Sequence, residues 1–348
     1  MNKFYIDNFV IGDPKTPFII AESGINHNGI LENAFKMIET AKKSGASAIK
    51  FQTFTSEEFI ADPSQMYTYQ SQGKQITESM LSMFQRYEFS KDEWFQIKKK
   101  CDNEKILFLS TPLNKKDLKL LLELGISAIK LGSGDFNNIP FLKTCISTEL
   151  PLIVSCGMSD LNEIKSSLET IGTFQGYSTV LLLTTSEYPT PPQNANILKL
   201  KLLSNEFPDL PLGYSDHTQG PLASSLALAF GASVFEKHFT LNHNLPGPDH
   251  WFSEDPDGLV NWINSIKQTS ILLGTPELLP TTKELENKKE FQKVIVAETE
   301  IHEGELFTDS NLSMKRIPGG HGLLPKFFES LIGKKAKKNY SKDSPIEQ

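Results

Sequence analysis

Two lysines and a group of histidines carry the first signs of chemistry in this sequence. Lys50 and Lys130 each follow a short apolar run, where a fully buried ammonium would be costly. Either the side chains snorkel to water, or they serve as a Schiff-base amine or as a pair of cations holding an anion. Hydroxyls at Thr111, Ser133, Ser155 and Ser215 stand at the ends of comparable runs, and Gly132 and Gly134 allow close backbone approach. Two cations with those hydroxyls suit a phosphate-bearing ligand better than one activated lysine. Five of the 7 histidines, His27, His217, His238, His243 and His250, fall at expected strand ends or in loops. His217 and His238 end the last two apolar runs, with Asp216 and Glu236 beside them. Two imidazoles, completed by water or substrate oxygens, suit Mn²⁺, Fe²⁺, Co²⁺ or Zn²⁺, and such an ion can polarise a carbonyl. Residues 242–250 are rich in turn formers and carry the carboxylate of Asp249, and they read either as an ordinary connection to the final helix or as a substrate-facing loop.

The elements that must position these groups are short apolar runs at 18–22, 48–54, 106–112, 128–135, 152–158, 180–188, 212–217 and 233–240. Each is near-continuously apolar until its end, as expected of parallel strands covered on both faces. Helical patterns lie between them, such as 31–44 with Leu31, Ala34, Ile38 and Ala41 on one face. Ser90 with Glu93 forms a capping box, and Gly45, Gly125, Gly172, Gly231 and Gly274 stand where helices should stop. Three segments share one grammar of glycine, small residues, apolar strand and charge: Gly45-Ala-Ser-Ala-Ile-Lys50, Gly125-Ile-Ser-Ala-Ile-Lys130 and Gly231-Ala-Ser-Val-Phe-Glu236. Eight such units read as an α/β (β/α)₈ TIM barrel over 1–274; a doubly wound sheet is the alternative, but its glycine-rich fingerprint is missing. In a barrel, strand ends converge on one site. The polar strand ends are Glu22, Asn26, His27, Lys50, Gln52, Ser110, Thr111, Lys130, Ser133, Asp135, Ser155, Thr185, Ser186, Tyr188, Ser215, Asp216, His217, Glu236 and His238.

Beyond Gly274 the pattern breaks. Pro276, Pro280 and the charged stretch 283–290 read as a linker over 275–292, and 293–348 reads as a small β-rich domain that docks on a barrel, its own or a partner's. A chain of 348 residues exceeds one compact core, and its 39% hydrophobic and 22% charged content excludes disorder. The net charge of −7 argues against nucleic-acid binding through a general basic surface. Cys101, Cys145 and Cys156 show no disulfide or zinc spacing and read as buried hydrophobes of a reducing compartment. No apolar stretch has signal-peptide or membrane-span length, so a cytoplasmic location is expected.

A family likeness is then visible. Ile20-Ala-Glu22-Ser-Gly-Ile-Asn26-His27-Asn28-Gly29, Ile49-Lys50-Phe51-Gln52, Ser110-Thr111-Pro112, Lys130-Leu-Gly-Ser133-Gly-Asp135, Tyr188-Pro-Thr-Pro191, Gly213-Tyr-Ser215-Asp216-His217-Thr218, Glu236-Lys-His238-Phe239 and Pro246-Gly-Pro-Asp249 resemble the sialic acid (N-acetylneuraminate and other nonulosonic acid) synthases. Lys315-Arg316 and the glycines after them resemble the family's C-terminal antifreeze-like SAF (β-clip) domain. The resemblance implies a transferase that condenses phosphoenolpyruvate with an N-acetylated hexose of the N-acetylmannosamine type. It implies a divalent metal at His217 and His238, Mn²⁺ with Mg²⁺ or Co²⁺ as alternatives. Lys50, Thr111, Lys130, Ser133, Ser155, Ser186 and Ser215 match the phosphoenolpyruvate set, and Glu22, Lys50, Lys130 and Asp135 the catalytic group. Glu22, Gln52, Tyr188, Asp249 and Arg316 match sugar-site positions, Arg316 being lent across a homodimer with a swapped C-terminal domain. Asp135, where glutamate is common, and Ser186-Glu187, where asparagine is common, depart from the N-acetylmannosamine pattern. A legionaminate-type synthase using a 2,4-diacetamido-6-deoxyhexose and a pseudaminate-type one are therefore the alternatives, with a class I aldolase as the reading from another class.

Overall fold

A computed structural model describes residues 2–347. The chain divides into two compact units, Met1–Gly274 and Thr275–Gln348.

The first unit is a parallel sheet of strands β1 (Phe18–Gly24), β2 (Ala48–Thr53), β3 (Leu107–Pro112), β4 (Ile129–Leu131), β5 (Leu152–Ser155), β6 (Thr179–Thr184), β7 (Leu212–Asp216) and β8 (Val234–His238). The order is β3-β2-β1-β8-β7-β6-β5-β4, so first and last strands pair and the sheet curls into a barrel with its seam between β3 and β4. This is the TIM-barrel arrangement expected from the sequence. Helices α1 (Leu31–Ser44), α2 (Lys91–Glu104), α3 (Lys115–Glu123), α4 (Ile139–Ile146), α5 (Leu161–Ile171), α6 (Lys199–Glu206), α7 (Leu222–Ala229) and α8 (Pro256–Leu273) follow the strands in turn. Gly45, at φ +87°, closes α1 by donating to Ala41 and Lys42 carbonyls, and the Ser90–Glu93 box opens α2 as expected.

Alternation of side chains along the strands builds two apolar layers. Ile19, Ala21, Ile49, Phe51, Phe235 and Trp262 belong to the outer layer between strands and helices. Ile20, Ala48, Leu109, Ala128, Ile153 and Val234 fill the barrel interior. An N-terminal hairpin that the apolar runs did not reveal, Phe4–Ile6 with Phe9–Ile11, adds Ile6 and Ile11 to that interior cluster beside Phe18. Every interior row becomes polar two residues later: Ile20 to Glu22, Ala48 to Lys50, Leu109 to Thr111, Ala128 to Lys130, Ile153 to Ser155 and Val234 to Glu236. Packing fills the lower barrel, and the C-terminal rim is left to chemistry.

β4 is shorter than its apolar run, because Ser133–Asp135 turns into a 3₁₀ helix. A second hairpin, Met66–Ser71 with Lys74–Ser79, is inserted between β2 and α2. In the second unit, residues 275–292 were expected to be a linker but carry a helix, Thr282–Phe291, opened by a Thr281–Glu284 capping box. Val294–Ala297 pairs antiparallel with Leu312–Lys315 over a core of Ile295, Ile301, Phe307, Tyr340 and Ile346. No helix among the described residues is long and apolar enough to cross a membrane.

Candidate active site

Neither lysine snorkels. Lys50 is 3% and Lys130 2% exposed, and both enter the barrel mouth together with Glu22 and Glu236. Lys50 Nζ lies 2.9 Å from Glu22 Oε1 and 3.7 Å from Glu236 Oε1, and donates to Thr111 Oγ1 at 3.2 Å. Lys130 Nζ lies 3.7 Å from Glu236 Oε2 and donates to Ser155 Oγ at 2.9 Å and Leu131 O at 3.1 Å. Ser215 Oγ donates to Glu236 Oε1 at 3.3 Å, and Gln52 Nε2 to Glu22 Oε1 at 3.3 Å. Glu236 is therefore the hub between the lysines. Its placement two residues after Val234 and two before His238 puts it among the polar strand ends expected to converge, but gives no sign that it joins the two lysines.

These charges tune one another. Burial and the nearby Glu236 push Glu22 toward its protonated form, against Lys50. Burial opposes ionisation of Glu236 too, but Lys130, Lys50 and His217 outweigh it and hold its carboxyl low. Burial likewise opposes the Lys50 charge, which Glu22 and Glu236 more than restore. Lys130, with less compensation, is pulled down to about 8 by burial. Glu22 Oε2, Glu236 Oε2 and His238 Nδ1 are buried without a hydrogen-bond partner. Each such orphan costs about 1–3 kcal/mol, so three together mark a place where a polar ligand belongs.

Beside Lys130, Gly157 N–H donates to Ser133 Oγ at 3.0 Å. A Cβ at Gly157 would come within 2.7 Å of Ser133 Oγ and 2.5 Å of Ser186 Oγ, so only glycine lets the two hydroxyls and this N–H converge. That cradle suits an oxyanion, and its backbone donor carries no sequence signature.

The His217 and His238 rings lie 5.7 Å apart, and the Tyr188 ring lies tilted by 34° at 4.1 Å from His217. His217 Nδ1 meets Thr185 O at 2.7 Å, which places the proton there and leaves Nε2 with its lone pair. Burial pulls His217 down to about 4 and His238 well below the usual imidazole range, so both rings are neutral donors. Asp249 Oδ2 lies 3.9 Å from His238 Nδ1, and burial with the Glu22 charge lifts its carboxyl to about 7. Among the described residues no three His, Cys, Asp or Glu side chains form a closed metal cage. Two neutral imidazoles, one with a buried unpaired nitrogen, fit a borderline divalent ion that keeps positions for water and substrate oxygens.

Glu22, Gln52, Lys50, Thr111, Lys130, Ser133, Ser155, Ser186, Tyr188, Ser215, His217, His238 and Asp249 are thus brought to one mouth. Asp135, expected in the catalytic group, accepts from Asn138 Nδ2 at 2.9 Å through its Oδ1, and its charge bears on Cys145 of α4. Asp216 points outward to Lys237 at 3.2 Å and accepts from Ser224 at 2.6 Å. Asn26 and His27 are scaffolding, the first donating to Phe239 O and the second stacked on Phe89. Arg316 belongs to the second unit, where its Nε donates to Phe291 O at 3.0 Å and its guanidinium lies 5.4 Å over that ring. The mouth opens into a cavity of about 530 Å³, whose far side the sequence reading did not anticipate: Tyr67, Met80, Phe84, Trp251 and Phe252.

Residues 37–277 match the model of the NeuB family, and residues 292–348 that of the SAF domain. An N,N'-diacetyllegionaminic acid synthase of Legionella pneumophila is 35% identical over 95% of this chain and 93% of its own length. The N,N'-diacetyllegionaminic acid synthase of Campylobacter jejuni is 37% identical over 96% of this chain and 100% of its own. The crystal structure of an N-acetylneuraminic acid (sialic acid) synthetase from Leptospira borgpetersenii, in complex with citrate, superposes with a TM-score of 0.74 at 30% identity, covering 83% of this chain and 97% of that one. The chain therefore belongs to the NeuB family of nonulosonic acid synthases and ends in a SAF domain.

Proposed function

We propose that this enzyme condenses phosphoenolpyruvate with an open-chain N-acetylated hexose and water, giving a nine-carbon 2-keto sugar acid and phosphate. The observation that carries the reading is the meeting of two buried lysines with three buried polar atoms that lack a hydrogen-bond partner at the barrel mouth.

Lys50 and Lys130 neutralise the carboxylate and phosphate of phosphoenolpyruvate, and Thr111, Ser133, Ser155, Ser186, Ser215 and the Gly157 N–H supply hydrogen bonds. The methylene carbon C3 of phosphoenolpyruvate attacks the aldehyde carbon with the C2–C3 π pair, the aldehyde oxygen takes up a proton to become a hydroxyl, and the electron-poor, phosphate-bearing C2 takes up water. Glu22 Oε2 handles the proton of that water, and C–O cleavage of the tetrahedral adduct releases phosphate and leaves the ketone. His217 and His238 would hold a divalent ion, Mn²⁺ with Mg²⁺ or Co²⁺ as alternatives, which when bound supplies Lewis acidity to the aldehyde. Gln52, Tyr188 and Asp249 orient the sugar. Arg316 reaches the site of the other subunit in a swapped homodimer, and the reaction takes place in the cytoplasm.

N-acetylmannosamine is the sugar first implied by the sequence motifs. The apolar far wall favours a 2,4-diacetamido-6-deoxyhexose instead, because its methyl groups need no hydrogen-bond partners there. The names of the Legionella and Campylobacter relatives lend weight to the same choice.

Phosphate release from phosphoenolpyruvate, Mn²⁺ and each sugar tests the function directly. Release with one of them is expected; none with any N-acetylated hexose would overturn the reading. The depressed Lys130 also admits a Schiff-base aldolase, which borohydride trapping of a substrate adduct would reveal. Below about pH 8 the Lys130 ammonium is present, and above it the amine must gain a proton before it can pair with an anion. KM for phosphoenolpyruvate is accordingly expected to climb about tenfold per pH unit above that point. A flat profile in initial-rate measurements would remove Lys130 from the anion site. Arg316→Ala is expected to raise the sugar KM about tenfold or more with unchanged thermal unfolding of the barrel. Unaltered kinetics would defeat the swapped-domain arrangement.

A further inference from the structure

The hairpin of Met66–Ser71 and Lys74–Ser79 projects from the barrel rim and is fastened at both ends. A free two-stranded hairpin is marginal in water, so its position depends on those fasteners. At its base, Arg86 grips Glu78 with two bonds of 2.6 and 2.7 Å, and Tyr69 Oη donates to the same carboxylate at 2.6 Å. At its tip, Gly247 N–H donates to Ser71 Oγ at 3.1 Å and Gln72 Nε2 to Asn244 O at 2.7 Å. Both tip bonds go to the loop that carries Asp249. Tyr67, Tyr69 and Ser71 share one face by the period-two rule, and the Tyr67 and Tyr69 rings stack at 5.7 Å. That face gives Tyr67 to the sugar cavity, which Gln52, His238 and Asp249 also line, and the Asp249 charge bears on the Tyr67 phenol.

We propose that the hairpin is the element that reads the sugar's end remote from its aldehyde, with Tyr67 as the specificity-determining residue. The inference rests on the condensing reaction above. An aldehyde held beside Gln52, His238 and Asp249 directs the remaining carbons toward Tyr67, Met80 and Phe84. Methyl groups of a second acetamido function and of a deoxygenated terminal carbon pack there. A hydroxylated tail would lose water against the ring faces of Tyr67 and Phe84 and the Met80 side chain, which satisfy its hydroxyls less well than water does.

The test compares kcat/KM for a 2,4-diacetamido-6-deoxyhexose and for N-acetylmannosamine, in full-length enzyme with Mn²⁺ and saturating phosphoenolpyruvate. The wild type is expected to prefer the diacetamido sugar. Tyr67→Ala should cut that preference about 10- to 100-fold, through the sugar KM, with the phosphoenolpyruvate KM unchanged. Tyr67→Phe should retain it. Gln72→Ala, which frees the tip, should raise the KM of both sugars alike. Turnover by the wild type with the same preference in Tyr67→Ala would overturn the role of the hairpin alone, as would a wild type that prefers N-acetylmannosamine. A wild type that releases no phosphate with either sugar would overturn the condensing reaction, and this inference with it.

Discussion

Lys50→Met is expected to suppress phosphate release by about 10³-fold or more, and to weaken the fold as well. Both effects follow from the two carboxylates that Lys50 serves, Glu22 at 2.9 Å and Glu236 at 3.7 Å. Removing one partner of a buried ion pair leaves the other uncompensated and costs about 3–5 kcal/mol, roughly 10 °C in the thermal midpoint of a unit this size. The pH dependence has a definite sign. Without Lys50, Glu22, already held above its ordinary value of about 4.5, rises further, and Glu236 loses one of the cations that hold it low, so the folded state binds their protons more readily. The stability deficit should therefore be small near about pH 5 and grow toward about pH 8. Differential scanning calorimetry at the two pH values checks it. A midpoint that falls equally at both would show that Glu22 and Glu236 are not the groups Lys50 neutralises. Phosphoenolpyruvate binding should weaken in step, since Lys50 is one of two cations at the mouth.

Much of this arrangement was legible in the sequence because a barrel strand encodes two things at once. The apolar layers require hydrophobic residues at nearly every position, and the site requires a polar residue at the last inward one. Lys50, Lys130, Ser155 and His238 were found by that rule. The segment after Leu131 lies outside that rule. β4 ends at Leu131, and the Gly132-Ser133-Gly134 turn breaks the alternation, so Ser133 Oγ accepts from Gly157 N–H and Asp135 Oδ1 from Asn138 Nδ2. The hairpin was missed for the opposite reason. Its strands lie in solvent, carry threonine, glutamine and tyrosine rather than a continuous apolar run, and are held by a few polar bonds to distant residues. Such long-range contacts leave no local period. The helix at Thr282–Phe291 was hidden by the prolines before it, although its Thr281–Glu284 cap was present in the sequence.

Glu22→Gln is expected to separate catalysis from stability at the same site. The amide keeps an oxygen that can accept from Lys50 and Gln52, as Glu22 Oε1 does now at 2.9 and 3.3 Å. It removes the group with which Oε2 could move a proton, and general acid–base catalysis of this kind is worth about 10²–10⁴-fold, so kcat should fall by that factor. Unlike Glu22 and Glu236 in Lys50→Met, Lys50 here keeps a counter-charge, Glu236 at 3.7 Å, so stability should hold or rise. Burial raises the Glu22 carboxyl above 4.5 in the folded protein, so its ionisation is a cost to folding that begins above the unfolded value and is felt at neutral pH. A neutral side chain of the same shape escapes that cost and also relieves the repulsion from Glu236. KM for phosphoenolpyruvate should stay level or drop, because one negative charge leaves the neighbourhood of Lys50. A kcat within tenfold of wild type would take the proton transfer away from Glu22. A lowered thermal midpoint would mean that the Lys50–Glu22 pair is a structural strut, and that the strain at this mouth is not what the catalytic group requires.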